Sequence, residues 1–121
     1  MNSDIIKTFF HMNLNIKLYH WQTKLYARHI ASDALLTLLL VNIDRFIETY
    51  SGRYERPDFK QEDFQISVSE FNDKTIISLL HHYTNFLKNV LPRDIKDTDL
   101  LNIRDEMLAD INKTLYLFTF E

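Results

Sequence analysis

RYERPDFKQEDFQISVSEFN, residues 53–72, carries Pro57 and a run of polar side chains between two long apolar-periodic segments. Its reading decides the fold. A proline and so many solvated residues do not sustain a core helix, so the stretch is read as a connection, with a short helical or extended piece at FQISV. It is long for a domain of 121 residues, because most links between neighbouring helices need only a few residues. On its N-terminal side, Ile5, Ile6, Phe9, Phe10, Met12, Leu14, Ile16 and Leu18 recur at three- and four-residue spacings after Ser3. That pattern predicts a first helix over 3–23, with Ser3 as N-cap. A second runs from Arg28 to Tyr50, where Ser51 and Gly52 supply a stop.

On the C-terminal side, Asp73 is the expected cap of a third helix that ends before Pro92. Asp97 or Thr98 opens a fourth, continuing to Phe118. The expected architecture is all-α: one domain over 1–121, a ferritin-like four-helix bundle with its longer connection between the second and third helices. One Gly, two Pro and no Cys argue against an all-β fold and exclude disulfides and thiolate metal sites. A net charge of −3, with both signs interspersed, gives no basic stripe for nucleic acid. LLTLLLV at 35–41 is too short to span a bilayer, and the N-terminus lacks a signal-peptide pattern, so a cytoplasmic protein without membrane contact is expected.

Between the first two helices lies LYHWQTKLYARHIASD, residues 18–33, with two histidines and an aspartate. On a helical wheel, Asp33, Asp44 and Glu48 fall about 40°, 60° and 100° round from His29, so three acids and a histidine share one flank of the second helix. The core flank holds Leu35, Leu36, Leu39, Ile43, Phe46, Ile47 and Tyr50, while Leu38, Leu40 and Val41 are apolar elsewhere. So narrow a solvated strip suggests a helix covered twice, by its own bundle and by another subunit. Buried carboxylates need a positive partner, and Arg45 projects about 100° from Asp44 on the helix wheel. A divalent cation meets that need, and carboxylates with imidazoles suit Fe(II), Mn(II) or Zn(II). The alternative at this stage is an ordinary solvated strip. No Glu-x-x-His pair precedes any of the five histidines, and no nucleotide loop or nucleophile elbow occurs.

His20-Trp21, His29 followed by Asp33, and Asp44-x-x-x-Glu48 resemble the Dps miniferritins, the starved-cell iron-storage branch of the ferritin superfamily. DTDLLNIRDEMLADINKTLYLF at 97–118 resembles their last helix. The resemblance implies an intersubunit metal site: His20, His29 and Asp33 from one chain, Asp44 and Glu48 from its twofold partner, with Trp21 alongside. It implies a ferroxidase that oxidises Fe(II) with hydrogen peroxide and stores ferric mineral in a twelve-subunit shell. A second reading is a structural or assembly protein with a residual or absent metal site. The richness in Asn, Ile, Lys, Phe and Tyr would suit a viral or phage origin and a place in a virion or infected cell. A zinc- or manganese-binding structural dimer would use the same ligands.

Overall fold

The computed structural model describes residues 1, 3–61, 65–68 and 72–121. It is helical throughout its regular parts: α1 (Ser3–Gln22), α2 (Tyr26–Arg53), α3 (Thr75–Asn85) and α4 (Thr98–Leu117), with a π-helical turn (Phe86–Val90) and a 3-10 turn (Leu91–Arg93) after α3. Each helix buries one stripe. Ile5, Phe9, Met12, Ile16 and Tyr19 line α1; Ala31, Leu35, Leu39, Asn42 and Phe46 line α2; Leu100, Ile103, Met107 and Ile111 line α4. These spacings of three and four keep the side chains over one another on a single face, and that face is what each helix gives to the common core. Phe9 sits at the centre, edge-on to Phe46 at 5.4 Å and to Phe86 at 6.3 Å, a geometry that the aromatic quadrupole favours.

The side-chain contacts fix the helix directions. Arg28 reaches Phe118, Asn42 reaches Asp110, Arg45 reaches Glu106 and Arg53 reaches Asp97, so α2 and α4 run antiparallel. Tyr19 reaches Asp73, His11 reaches Tyr83 and Phe9 reaches Phe86, so α1 is antiparallel to α3 and its π-helical extension. The short joint 23–25 makes α1 antiparallel to α2 as well. It follows that α2 and α3 are parallel. Arg53 and Thr75 therefore lie at opposite ends of the bundle, which is why the connection between them is long.

Several helix ends differ from the sequence expectation. Asn72, not Asp73, opens α3: its Oδ1 accepts the backbone N–H groups of Lys74 and Thr75 at 2.9 and 3.0 Å, while the Asp73 carboxylate turns to Tyr19 and Thr23. Ser51 and Gly52 do not stop α2, because Tyr54 still donates its backbone N–H to Tyr50 and Arg53 and Tyr54 are both held by Asp97. Nor is the helix before Pro92 uniformly α. A proline ring in an α-helix collides with the carbonyl four residues earlier; the wide π turn and the 3-10 turn carry the chain through Pro92 without that register. FQISV begins on Phe64, outside the described residues, and 65–68 form neither helix nor strand. Among the described residues, no helix is long and apolar enough to cross a membrane.

Candidate metal centre

The α1–α2 joint places His20 in the last turn of one helix and His29 in the first turns of the next. Their rings stack at 4.1 Å with planes 11° apart. Each Nδ1 bonds the other's backbone carbonyl: His20 Nδ1 to His29 O at 2.8 Å, and His29 Nδ1 to His20 O at 2.9 Å. A carbonyl only accepts, so both Nδ1 atoms carry hydrogen, and each neutral ring keeps its lone pair on Nε2. Metal-binding histidines are typically oriented in this way, with the other ring N–H fixed by a carbonyl or carboxylate. His20 is 7% exposed.

Asp33 stands beside the pair, with Oδ1 3.8 Å from His20 Nε2 and its side chain 62% exposed. With hydrogen on Nδ1, the neutral form of the His20 ring leaves its Nε2 lone pair beside this carboxylate oxygen with no hydrogen bond between them, whereas the protonated ring forms an ion pair with it. A cation between two such groups removes their repulsion, and both are good ligands for a divalent transition metal. One ion cannot lie in the planes of two parallel rings 4.1 Å apart, so each imidazole as oriented serves its own ligand position. Among the described residues, no group of three or more His, Asp or Glu side chains could hold a metal within one chain.

Asp44 and Glu48 are exposed on α2, about three and four helical turns beyond Asp33, roughly 16 and 22 Å along the axis. Arg45 does not neutralise them; its guanidinium bonds Glu106 of α4 at 3.3 Å. The structure therefore brings His20, His29 and Asp33 together and leaves Asp44 and Glu48 apart, on the same flank of the same helix. Interleaved with those acids are Ile30, Leu40 and Val41, the last two 64% and 60% exposed. A groove of about 500 Å³ opens between α1 and α2, lined by Ile6, Phe10, Leu40, Ile43 and Ile47, with Asp44 on its wall.

The sequence also matches a family model over residues 20–118, described as a family of unknown function. The chain belongs to this family, DUF5856. No curated protein and no solved structure matches it. The DUF5856 match begins on His20 and takes in His29, Asp33, Asp44 and Glu48.

Two groups that hold the His20–His29 pair in place were missed in the sequence. Ser32, fully buried, lies 3.1 Å from His20 Nδ1 and donates its hydroxyl to His29 O; its position three residues after His29, on the same helical face, was the available signal. The second is a network beneath the joint. Asp73 Oδ1 accepts from Tyr19 and Thr23, both at 2.8 Å, while Arg28 donates to the Asp73 and Phe118 carbonyls and lies over the Phe118 ring. Burial opposes ionisation of Asp73, but the Thr23 and Tyr19 hydroxyls and the Arg28 charge outweigh it and hold its carboxyl below the ordinary range. Trp21, next to His20, is largely exposed, with the Lys17 ammonium 5.3 Å from its ring.

Proposed function

We propose that this protein binds Fe(II) between two copies of the chain, oxidises it with hydrogen peroxide and stores the ferric product in a larger shell, such as the dodecamer of the miniferritins it resembles. The observation that carries the reading is the stacked His20–His29 pair, with both Nε2 lone pairs available and Asp33 alongside. A ferritin-like identity for the bundle is supported by the parallel α2 and α3 and the long connection between them.

The arrangement along α2 accounts for the second half of the site. The midpoint of Tyr26–Arg53 falls between Leu39 and Leu40, beside the exposed Leu40 and Val41. A twofold axis one residue beyond that midpoint, between Leu40 and Val41, packs two α2 helices antiparallel and sets Asp44 and Glu48 of one copy opposite Thr37 and Asp33 of the other. Each end of that contact then unites two imidazoles and Asp33 with two carboxylates from the partner copy. Nitrogen and oxygen donors of this kind suit Fe(II), and also Mn(II) or Zn(II). In the reaction two Fe(II) ions each give one electron to a peroxide, its O–O bond breaks, and two protons complete two waters. The protein supplies ligands and a negative field that gathers Fe(II), and no nucleophile is required.

The test is an anaerobic Fe(II) titration followed by Trp21 fluorescence, then peroxide with ferric absorbance recorded, on the parent, Asp44→Asn and Glu106→Gln. Saturable quenching and rapid oxidation in the parent and in Glu106→Gln, both lost in Asp44→Asn, is the expected result. Equal effects of the two substitutions overturn the ligand assignment. No response in the parent leaves a structural bundle instead.

A further inference from the structure

We infer that Lys17 is the counter-charge for the acids of the partner copy: before metal binds, its ammonium pairs with Asp44 and Glu48 across the contact and helps to hold the two copies together. The inference rests on the twofold contact proposed above, and its test separates the two.

Lys17 stands on α1 beside the second helix. With Asn13, Asp33, Leu36, Thr37 and Leu40 it lines a hollow of about 300 Å³ between α1 and α2, so its side chain lies level with Asp33 and Thr37. Those are the two residues that the twofold contact sets opposite Glu48 and Asp44 of the partner copy. An axis perpendicular to both α2 helices also keeps the α1 sides of the two copies on one side of the contact. The ammonium therefore borders the partner's two acids. Within one chain these charges are unmatched: among the described residues, the ion pairs take in neither Lys17 nor Asp44 nor Glu48. Asp33, which shares the hollow, is turned to His20 Nε2. Lys17 has instead the ring of Trp21, 5.3 Å from its Nζ and largely exposed. A cation–π contact at an exposed ring is a weak hold, and a carboxylate within reach displaces it.

Charge explains why the contact needs this lysine. Each end brings together Asp33 of one copy with Asp44 and Glu48 of the other, and imidazoles in their neutral form do not offset three carboxylates. Without a cation these acids repel one another at the edge of a surface that Leu40 and Val41 dry out, and like charges placed so oppose assembly. One ammonium at each end lowers that opposition, and a divalent ion lowers it further, so Lys17 matters most before metal arrives. The same ammonium repels an incoming divalent ion. Its removal should therefore loosen the metal-free contact while tightening metal binding, two effects of opposite sign that a purely structural role would not produce.

The experiment uses the full chain as the parent, Lys17→Met and Lys17→Arg, and places Lys17→Met also in an Asp44→Asn/Glu48→Gln background. Sedimentation with chelator, at low and at high salt, reads metal-free assembly; Co(II) titration reads metal affinity; circular dichroism melting confirms that each variant is folded. At low salt Lys17→Met should assemble about 10-fold more weakly than the parent, with the gap narrowing at high salt and Lys17→Arg close to the parent. Lys17→Met should also bind Co(II) severalfold more tightly, and in the background without the two acids it should leave assembly unchanged. A folded Lys17→Met that assembles as tightly as the parent overturns the inference, even where the parent binds Co(II) and the metal reading survives. Equal weakening in both backgrounds overturns it too. If Lys17→Met weakens assembly only where the two acids are present but the parent binds no Co(II), the metal reading fails and the pairing of Lys17 stands. A parent that remains a single chain throughout overturns both.

Discussion

Asp73 ties the end of α1 to the start of α3 through one carboxylate oxygen, and its replacement by Asn should be felt throughout the joint. Two hydrogen bonds to an ionised acceptor are weakened, so Asp73→Asn should lose about 1–2 kcal/mol at pH 7 in urea unfolding. The pH dependence has a definite sign. A carboxyl held below its ordinary range contributes stability that is complete above the unfolded value, about pH 4, and is lost as pH falls through the folded value. The gap between parent and variant should thus close below pH 4; a gap that widens there contradicts the assignment. His11 gives a second window. Burial, and then the neighbouring His82, push its imidazole below the ordinary value, so the fold favours the neutral ring. Stability should be complete above about pH 6.5 and decline as pH falls below it. His11→Gln should flatten that decline between pH 7 and 5 in thermal melts.

At the scale of elements, the apolar periodicity of all four helices was legible, because burial on one helical face leaves three- and four-residue spacings in the sequence. The ends were less so. Asn72 and Asp73 are adjacent and both are good caps; only the tertiary pull of Tyr19, Thr23 and Arg28 on Asp73 decides which one serves α3. Asn72→Ala should accordingly cost about 1 kcal/mol, and Asp73→Asn should leave the start of α3 intact by amide exchange. Ser51-Gly52 resembles a stop, yet Asp97, far away in sequence, carries α2 one turn further. The proline at 92 announced a helix end but not the π turn by which the chain reaches it. In the site, the same flank of α2 for Asp33, Asp44 and Glu48 follows from spacing alone. The reciprocal histidine bonds and Ser32 do not, because they depend on how the 23–25 joint folds two helices back on each other.

For the whole molecule, the bundle core is closed while the α2 flank bearing Leu40 and Val41 is left open. A second copy covering that flank makes a simple prediction. Leu40→Glu changes an exposed residue, so helicity and melting of the single chain should hardly move, whereas sedimentation should show a smaller species than the parent. An unchanged assembly would place the contact elsewhere. The long connection between Arg53 and Thr75 has its explanation at this scale too: it allows α2 and α3 to run parallel, which was readable from the length of the polar stretch before any contact was known.

The central claim, a metal site divided between two copies, is tested most directly by complementation. His20→Ala/His29→Ala and Asp44→Asn/Glu48→Gln proteins are each measured for Fe(II) binding, then unfolded together, refolded as a mixture and measured again. Each alone should bind no Fe(II). In a mixed dimer one site receives both defective halves and the other receives both intact ones, so random pairing should restore about a quarter of the parent's sites. A mixture that binds no more than its components would contradict the divided site.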